Sequence, residues 1–180
     1  MERIMNEVEL MDSSALSRAL IRIAHEIIEN NDGTEKLCII GICNRGVPLA
    51  RRLVNIIERT EGVKIPFGVL DIAFYRDDIA VETGLPIVNS TDVPFSVDDK
   101  RIVLVDDVLY TGRTARAAMD AVMDMGRAKV IRFAALIDRG HRELPICADF
   151  IGKIVPTSRA ERVNVKLAET DDVDGVSLTK

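Results

Sequence analysis

The chain has 180 residues, with 24 Lys or Arg against 29 Asp or Glu, and its formal net charge is −5. This acidic balance argues against a uniformly basic nucleic-acid coat, and five Phe, two Tyr and no Trp leave little material for stacking on bases. A chain of this length buries roughly 70% of its unfolded surface as one unit, so we expect a single domain over residues 1–180. The sequence has neither an apolar run of roughly 18–20 residues nor a signal-peptide pattern. It therefore predicts a cytoplasmic protein that does not enter membranes.

The three cysteines, Cys38, Cys43 and Cys147, are odd in number and form no CxxC pair. We expect them to be buried or half-buried free thiols. Only His25 and His141 could add imidazole ligands, and neither stands at a zinc-like spacing from a cysteine. The sequence therefore predicts no structural metal site.

Apolar side chains recur at helical spacing over residues 12–30, after the capping candidates Asp12 and Ser13, and predict an amphipathic helix. Residues 37–42 are apolar on both faces, which is typical of a central parallel strand. A loop over residues 43–46 follows. The next predicted helix has Pro48 in its first turn and ends before Gly62.

The second half of the chain continues the alternation of strands and helices. A strand is predicted over residues 63–75, and residues 79–99 have the weak periodicity of a hairpin-like stretch. The remaining predicted elements are strands over 102–105 and 130–137, a helix over 113–125, short strands near 150–151 and 163–167, and a closing hairpin at 174–175. This order indicates βαβ units and a parallel sheet.

The segment from Ile102 to Thr114 is the most informative part of the chain. Ligands of open parallel sheets bind beyond the carboxyl ends of the strands, where Asp106 and Asp107 fall. A short loop then ends at a helix N-terminus, whose unpaired N–H groups favour a phosphate. Gly112 allows close approach, Thr111 and Thr114 offer hydroxyl groups, and Arg113 opens the helix.

Adjacent carboxylates repel a phosphate, so Asp106 and Asp107 must face something else. Sugar hydroxyl groups or a hydrated divalent cation would satisfy them. A ribose 5-phosphate meets both demands. The GxxxxGK[ST] motif is absent, which argues against a P-loop NTPase.

The same segment resembles the phosphoribosyl-pyrophosphate signature of the type I phosphoribosyltransferases, and its Val108-to-Thr114 ending is a close form of that signature. Similarity continues through residues 22–26, 75–78, 138–145, 152–153 and 156–158. Over roughly residues 12–168 the chain resembles the PyrR family, whose members regulate the pyrimidine operon and act as uracil phosphoribosyltransferases. The resemblance implies the type I phosphoribosyltransferase fold, an α/β fold with a central, mainly parallel sheet flanked by helices, a small hood and a flexible loop.

The resemblance implies that uracil and phosphoribosyl pyrophosphate (PRPP) give UMP and pyrophosphate, with Mg²⁺ as cofactor, bound through PRPP rather than at a dedicated protein site. The implied catalytic residues are Asp106, Asp107 and Arg76. The implied PRPP and nucleotide ligands are Asn44, Arg45, Gly46, Asp106, Asp107, Val108, Leu109, Tyr110, Thr111, Gly112, Arg113, Thr114 and Arg139. The family usually has Thr where this chain has Asn44, and an unusual peptide is expected at Asn44–Arg45.

The resemblance also implies binding of the pyrimidine-operon mRNA leader, promoted by uridine nucleotides such as UMP or UTP, and a homodimer or higher homo-oligomer. RNA phosphates need a cationic surface. The implied RNA-binding residues are Arg18, Arg22, His25, Arg142 and Lys153. Without the resemblance, the helix face that carries Arg18, Arg22 and His25 reads equally well as a solvated face.

The chain departs from better-known family members at positions of this surface. Ile21 replaces a usual Thr, and Asn30 and Cys147 each replace a usual Arg. Two alternatives to a bifunctional protein therefore remain: a uracil phosphoribosyltransferase that has lost RNA control, and a non-catalytic RNA-binding regulator that senses nucleotides. Ile21 could instead mark a subunit contact. A phospho-acceptor receiver domain is disfavoured, because it needs acids after its first strand, where this chain has Cys43-Asn44-Arg45.

Overall fold

The structure is a computed structural model that describes residues 7–73, 75 and 91–180. Strands and helices alternate through most of this part of the chain. In order they are β1 (Glu7–Met11), α1 (Ser13–Asn30), β2 (Leu37–Ile42), α2 (Gly46–Glu61), β3 (Phe67–Leu70), β4 (Arg101–Leu109), α3 (Arg113–Met125), β5 (Val130–Asp138), β6 (Phe150–Ile154), β7 (Arg162–Lys166), α4 (Ala168–Asp171) and β8 (Gly175–Thr179).

Five strands form a parallel sheet in the order β3-β2-β4-β5-β6, with β4 at its centre. Side chains alternate between the two faces of a strand. Val103 and Val105 of β4 pack with α1 and α2, whereas Ile102 and Leu104 pack with α3 on the opposite face. The α/β prediction with a central parallel sheet between helices is therefore confirmed.

A second, antiparallel sheet of three strands, in the order β1-β8-β7, forms the hood. Arg52 of α2 ties the hood to the main layer, since its guanidinium donates to the carboxylates of Glu169 and Asp174 at 2.6–2.9 Å. These bonds lower the pKa of both carboxyl groups, so the contact is ionised at neutral pH.

The first two helices begin and end where the sequence predicts. The Asp12 carboxylate accepts a hydrogen bond from the backbone N–H of Ala15 at 2.7 Å and caps α1. Helix α2 ends at Gly62, whose φ of 69° lies in the left-handed region that favours glycine. Both predicted ends follow from local capping chemistry.

Two strands differ in length from the prediction. β3 covers only residues 67–70, because Pro66 precedes it and the Asp71 carboxylate turns the chain by accepting the N–H of Ala73. β4 continues past the predicted residue 105 to Leu109, because β5 pairs with it as far as Leu109 and Asp138. Asp106 and Asp107 therefore lie within a strand rather than after it.

The cysteine prediction is correct for Cys38, which is buried, and for Cys43, which is half-buried; burial raises the pKa of both thiols. It is wrong for Cys147, which is exposed because it lies in an irregular segment before β6. Among the described residues, no helix is both long and apolar enough to span a membrane.

Candidate nucleotide and RNA sites

A short loop, residues 110–112, joins the end of β4 to the start of α3. The loop turns at Gly112, the residue before α3. Its φ of 91° lies in the left-handed region, which residues with a side chain adopt only with strain. Arg113 donates its backbone N–H to the Thr111 hydroxyl at 3.3 Å. The N–H groups of the first turn of α3 and the helix dipole thus converge on one point.

A cavity of about 280 Å³ opens over this loop. Most of its walls come from the predicted signature: Asp106, Val108, Leu109, Tyr110, Thr111, Gly112, Arg113 and Thr114, together with Ala115, Phe133 and Glu143. The structure therefore brings the second half of the predicted nucleotide set around one space.

The two acidic residues of β4 have different exposures. Asp106 is only 7% exposed, whereas Asp107 is half-buried. Each carboxylate accepts the N–H of the following residue, at 2.9 Å from Asp107 and 2.8 Å from Val108. These bonds fix each carboxylate at the end of the strand.

The predicted pyrophosphate loop lies on the neighbouring strand. Asn44 is exposed, and a cis peptide bond joins Cys43 to Asn44, one residue before the unusual peptide expected at Asn44–Arg45. Gly46 begins α2 against the backbone of β4: a Cβ atom there would lie 2.2 Å from the Val105 carbonyl oxygen. This close approach holds the loop beside the two aspartates.

The Arg45 side chain turns from the loop to the hood. Its Nε donates to the Val165 carbonyl oxygen at 2.6 Å, and a terminal nitrogen donates to both oxygens of Asp171 at 2.8 and 3.1 Å. The Thr170 hydroxyl, the Leu167 N–H and Arg45 together lower the pKa of Asp171. Arg45 is thus held by an ionised carboxylate that the sequence did not single out.

Replacing Asp171 by Asn should raise the KM for PRPP several-fold while changing kcat less. The Asn amide would place an NH₂ group among three donors, which are Arg45, the Leu167 N–H and the Thr170 hydroxyl. The Arg45 guanidinium would lose its hydrogen bonds to residue 171, and residues 44–46 would be held less firmly to the hood. Initial-rate kinetics at varied PRPP would measure the effect. Asp172→Asn, a change in the exposed neighbour, is the matched control, and an equal shift in both variants would contradict this role for Asp171.

Arg139 is only 7% exposed, and its guanidinium supports the wall of the site. It donates to the Thr157 hydroxyl and to the carbonyl oxygens of Ser158 and Glu161, and it lies 4.2 Å from the centre of the Tyr110 ring. The predicted contact of Arg139 with nucleotide remains a prediction. Its position shows that it also joins the Tyr110 side of the cavity to residues 157–161.

Four of the five predicted RNA-binding residues lie on α1 and on β6, the edge strand of the main sheet. Arg18 and His25 are exposed on α1. Arg22 donates to the carbonyl oxygens of Ile151 and Gly152 in β6 at 3.0 and 2.6 Å. Exposed Lys153 follows directly in that strand. We call Arg18, Arg22, His25 and Lys153 the α1–β6 surface.

The fifth predicted RNA-binding residue, Arg142, lies apart from this surface. Arg142 is largely enclosed, with 22% of its side chain exposed, and its guanidinium bonds to groups of its own segment and of Tyr110. Arg76, the predicted catalytic arginine, lies outside the described residues.

Three residues that line the cavity, Ala115, Phe133 and Glu143, had no predicted role in the site. Phe133 of β5 is 5% exposed and faces the cavity from the neighbouring strand. Glu143 accepts a hydrogen bond from Nε of Arg113 at 2.8 Å. The strand alternation of β5 could have indicated Phe133, whereas nothing local in the sequence joins Glu143 to Arg113.

The acidic residues of the site fit a magnesium ion that is held mainly by a substrate. Among the described residues, no three His, Cys, Asp or Glu side chains gather to form a metal site. Mg²⁺ usually binds one or two carboxylates, with water and phosphate oxygens completing its octahedron. The pair Asp106 and Asp107 matches that limited protein contribution.

Comparison with known proteins agrees with this geometry. The phosphoribosyl transferase domain family matches residues 8–167. The bifunctional protein PyrR of Acetivibrio thermocellus is 56% identical over 176 residues, which are 98% of this chain and 96% of that protein. The PyrR protein of Caldicellulosiruptor saccharolyticus is 59% identical over 170 residues, 94% of this chain and 93% of that protein.

The fold also matches solved structures at low sequence identity. A hypoxanthine-guanine phosphoribosyltransferase from Bacillus anthracis superposes with a TM-score of 0.73 at 17% identity, covering 94% of this chain and 96% of that one. The Leishmania tarentolae HGPRT-ase solved with GMP gives 0.71 at 15% identity, covering 99% of each chain. From the family match and the full-length relatives together, the chain belongs to the phosphoribosyl transferase family and, within it, to the bifunctional PyrR proteins.

Proposed function

We propose that this chain is a uracil phosphoribosyltransferase that also regulates pyrimidine genes by binding leader RNA. The observation that carries the enzymatic half is that Asp106 lines the cavity at the start of α3, with Asp107 next to it at the end of β4. A ribose 5-phosphate needs both features, since its phosphate requires N–H donors and its hydroxyl groups require acceptors.

The substrate lies across the carboxyl ends of β2 and β4. The 5-phosphate binds Thr111, Gly112 and the first turn of α3, while the ribose hydroxyl groups donate to Asp106 and Asp107. The pyrophosphate lies at the start of α2, where residues 44–46 and the helix dipole favour an anion. Gly46 keeps these two anion sites close together, because it packs on the backbone of Val105.

In the reaction, the bond between ribose C1 and pyrophosphate breaks and its electron pair leaves with pyrophosphate. A bond forms between C1 and a ring nitrogen of uracil, which releases its proton to solvent. Positive charge develops on the ribose during this exchange, so the nearby carboxylates stabilise the transition state electrostatically. Among the described residues no side chain is an obvious general base, and Asp107 serves as an electrostatic and hydroxyl-binding group.

Asp106 and Asp107 would hold Mg²⁺, directly or through its water shell, together with PRPP oxygens. When bound, the ion would neutralise part of the negative charge on the pyrophosphate as it leaves. The chain's own contribution is to orient the ribose and to keep the phosphate and pyrophosphate loops at a fixed separation.

The RNA half of the proposal relies on the α1–β6 surface. A guanidinium lies at the end of α1 even though residue 30 is Asn, because Arg132 of β5 donates to the Asn30 carbonyl oxygen at 2.7 Å. A cation from another strand thus stands near the position where the family usually has Arg. This observation favours retained RNA binding over its loss.

One pair of measurements tests the proposal. Purified protein with uracil, PRPP and Mg²⁺ should form UMP, and labelled pyrimidine-leader RNA should bind more tightly when UMP is added. Absence of UMP synthesis with intact RNA binding would identify a regulator that only senses nucleotides.

Exposed Cys147, which stands where the family usually has Arg, favours a second candidate, an enzyme that has lost RNA control. Each lost phosphate contact lowers the slope of log affinity against log salt by about 0.7–0.9. UMP synthesis without UMP-enhanced RNA binding would establish this second candidate.

A further inference from the structure

Arg142 is bound on every side by protein acceptors. Its Nε donates to the Ile146 carbonyl oxygen at 2.9 Å, one terminal nitrogen donates to the carbonyl oxygens of Tyr110 and Gly140 at 2.9 and 3.2 Å, and the other pairs with Asp138. Each nitrogen of the planar guanidinium is therefore engaged. These bonds use four of the five N–H groups of the guanidinium, so an RNA phosphate could bind this side chain through two N–H groups only by displacing an acceptor that is already in place.

The segment around Arg142 is joined to the phosphate loop by further contacts. The Thr111 carbonyl oxygen accepts the backbone N–H groups of Glu143 and Leu144 at 2.9 and 3.2 Å. The Glu143 carboxylate accepts from Arg113. A Cβ atom on Gly112 would lie 3.4 and 3.5 Å from the Cβ atoms of Ile146 and Leu144, so these two side chains lie beside the glycine. Residues 110–113 and 138–146 thus pack as one unit.

This unit reaches from the nucleotide cavity to the α1–β6 surface. Asp138 ends β5 and is in register with Ile154 of β6, and Ile137 is in register with Lys153. The guanidinium of Arg142 binds the Asp138 carboxylate at one end of the unit and the Tyr110 carbonyl at the other. The unit therefore lies between the loop before α3 and the strand that carries Lys153.

We propose that Arg142 is a positioning residue, which fixes the phosphate loop against residues 138–146 and transmits nucleotide occupancy to the RNA surface, and that it makes no contact with RNA phosphates. The inference rests on the proposed function and replaces the direct RNA contact expected from sequence. It assigns a coupling role to a half-buried guanidinium that is already hydrogen-bonded to protein acceptors, where a simple count of cations would assign a phosphate ligand.

The variants Arg142→Lys and Arg142→Ala separate the two roles. Lysine keeps the positive charge but loses the planar fork that serves several acceptors at once. Positioning predicts that both variants weaken UMP binding by about tenfold, the effect of losing a few hydrogen bonds, and raise the KM for PRPP more than they lower kcat. RNA binding without UMP should keep the wild-type salt slope, and the enhancement by UMP should disappear in both variants.

Two controls calibrate the measurement. Arg18→Ala removes an exposed cation of the α1–β6 surface and should reduce the RNA salt slope by about 0.7–0.9. Arg59→Ala removes an exposed cation of α2 that belongs to neither proposed site, and should leave UMP and RNA binding unchanged. Circular dichroism melting would confirm that each variant is folded before titration.

The proposal fails if Arg142→Ala lowers the salt slope as Arg18→Ala does while Arg142→Lys binds UMP and RNA like the wild type. That result would make Arg142 a charge contact. The titration of UMP alone remains decisive if the wild-type protein binds no RNA, because wild-type UMP affinity in Arg142→Lys would still overturn positioning. Loss of RNA binding in the wild type would count only against the RNA half of the proposed function.

Discussion

Replacing Asp107 by Asn is expected to lower the rate of UMP synthesis by about 10²-fold or more, the magnitude typical of losing one preorganised electrostatic group. The amide oxygen can still accept the Val108 N–H that Asp107 now accepts at 2.8 Å, so the end of β4 should keep its conformation. The rate falls because the amide lacks the negative charge that would stabilise the positive charge developing on the ribose. Steady-state kinetics with uracil, PRPP and Mg²⁺ would measure the change.

A matched substitution controls for the removal of one negative charge. Asp32→Asn makes the same chemical change at an exposed turn after α1, far along the chain from the site, and should leave the rate unchanged. Unfolding temperatures of both variants should stay close to the wild type. Full activity of Asp107→Asn would remove Asp107 from the mechanism.

Substituting Ala for Gly46 should nearly abolish PRPP binding and also lower stability. The new methyl carbon would lie 2.2 Å from the Val105 carbonyl oxygen, closer than Cβ atoms approach in real structures, and at a tight 3.1 Å from Asp106 Cα. Both partner atoms belong to the backbone of the central strand. Either α2 moves away from β4 or β4 distorts at its aspartates. Overpacking of this kind typically costs about 1–3 kcal/mol, and here the strain falls on the pyrophosphate loop.

Gly175→Ala is a suitable comparison for this variant. A Cβ atom at Gly175 would meet the Met11 carbonyl oxygen at 3.4 Å, an ordinary contact, and the residue lies in strand β8 of the hood. It should change both the KM for PRPP and the unfolding temperature little. If Gly46→Ala and Gly175→Ala gave the same kinetics and thermal melts, the close packing of Gly46 on the β4 backbone would not be needed for PRPP binding or stability.

Local chemistry made much of this structure predictable. Capping by Asp12, the left-handed end at Gly62 and the buried runs of β2 and β4 each depend on neighbours in sequence. The loop between β4 and α3 was predictable for the same reason, because Gly112 and the nearby Thr111 and Thr114 indicate a turn that leads into a helix N-terminus.

Features that depend on distant partners were not predictable. β1 was missed because its polar and apolar alternation covers only residues 7–10, most of its side chains are exposed, and its pairing with β8 comes from the opposite end of the described chain. The arginines show the same limit more sharply. Arg45, Arg139 and Arg142 look like phosphate ligands in sequence, yet each guanidinium bonds to backbone carbonyls of residues distant in sequence, which only folding brings near.

The order of strands in the hood has a consequence for how the protein is made. β1 and β7 both pair with β8, which is synthesised after every other strand and helix described here. β1 therefore has no strand partner until β8 has been synthesised, and long-range pairing of this kind is slow to form. Arg45 gains its Val165 and Asp171 partners beside this sheet. The pyrophosphate loop is thus the part of the active site that we expect to mature last on the ribosome.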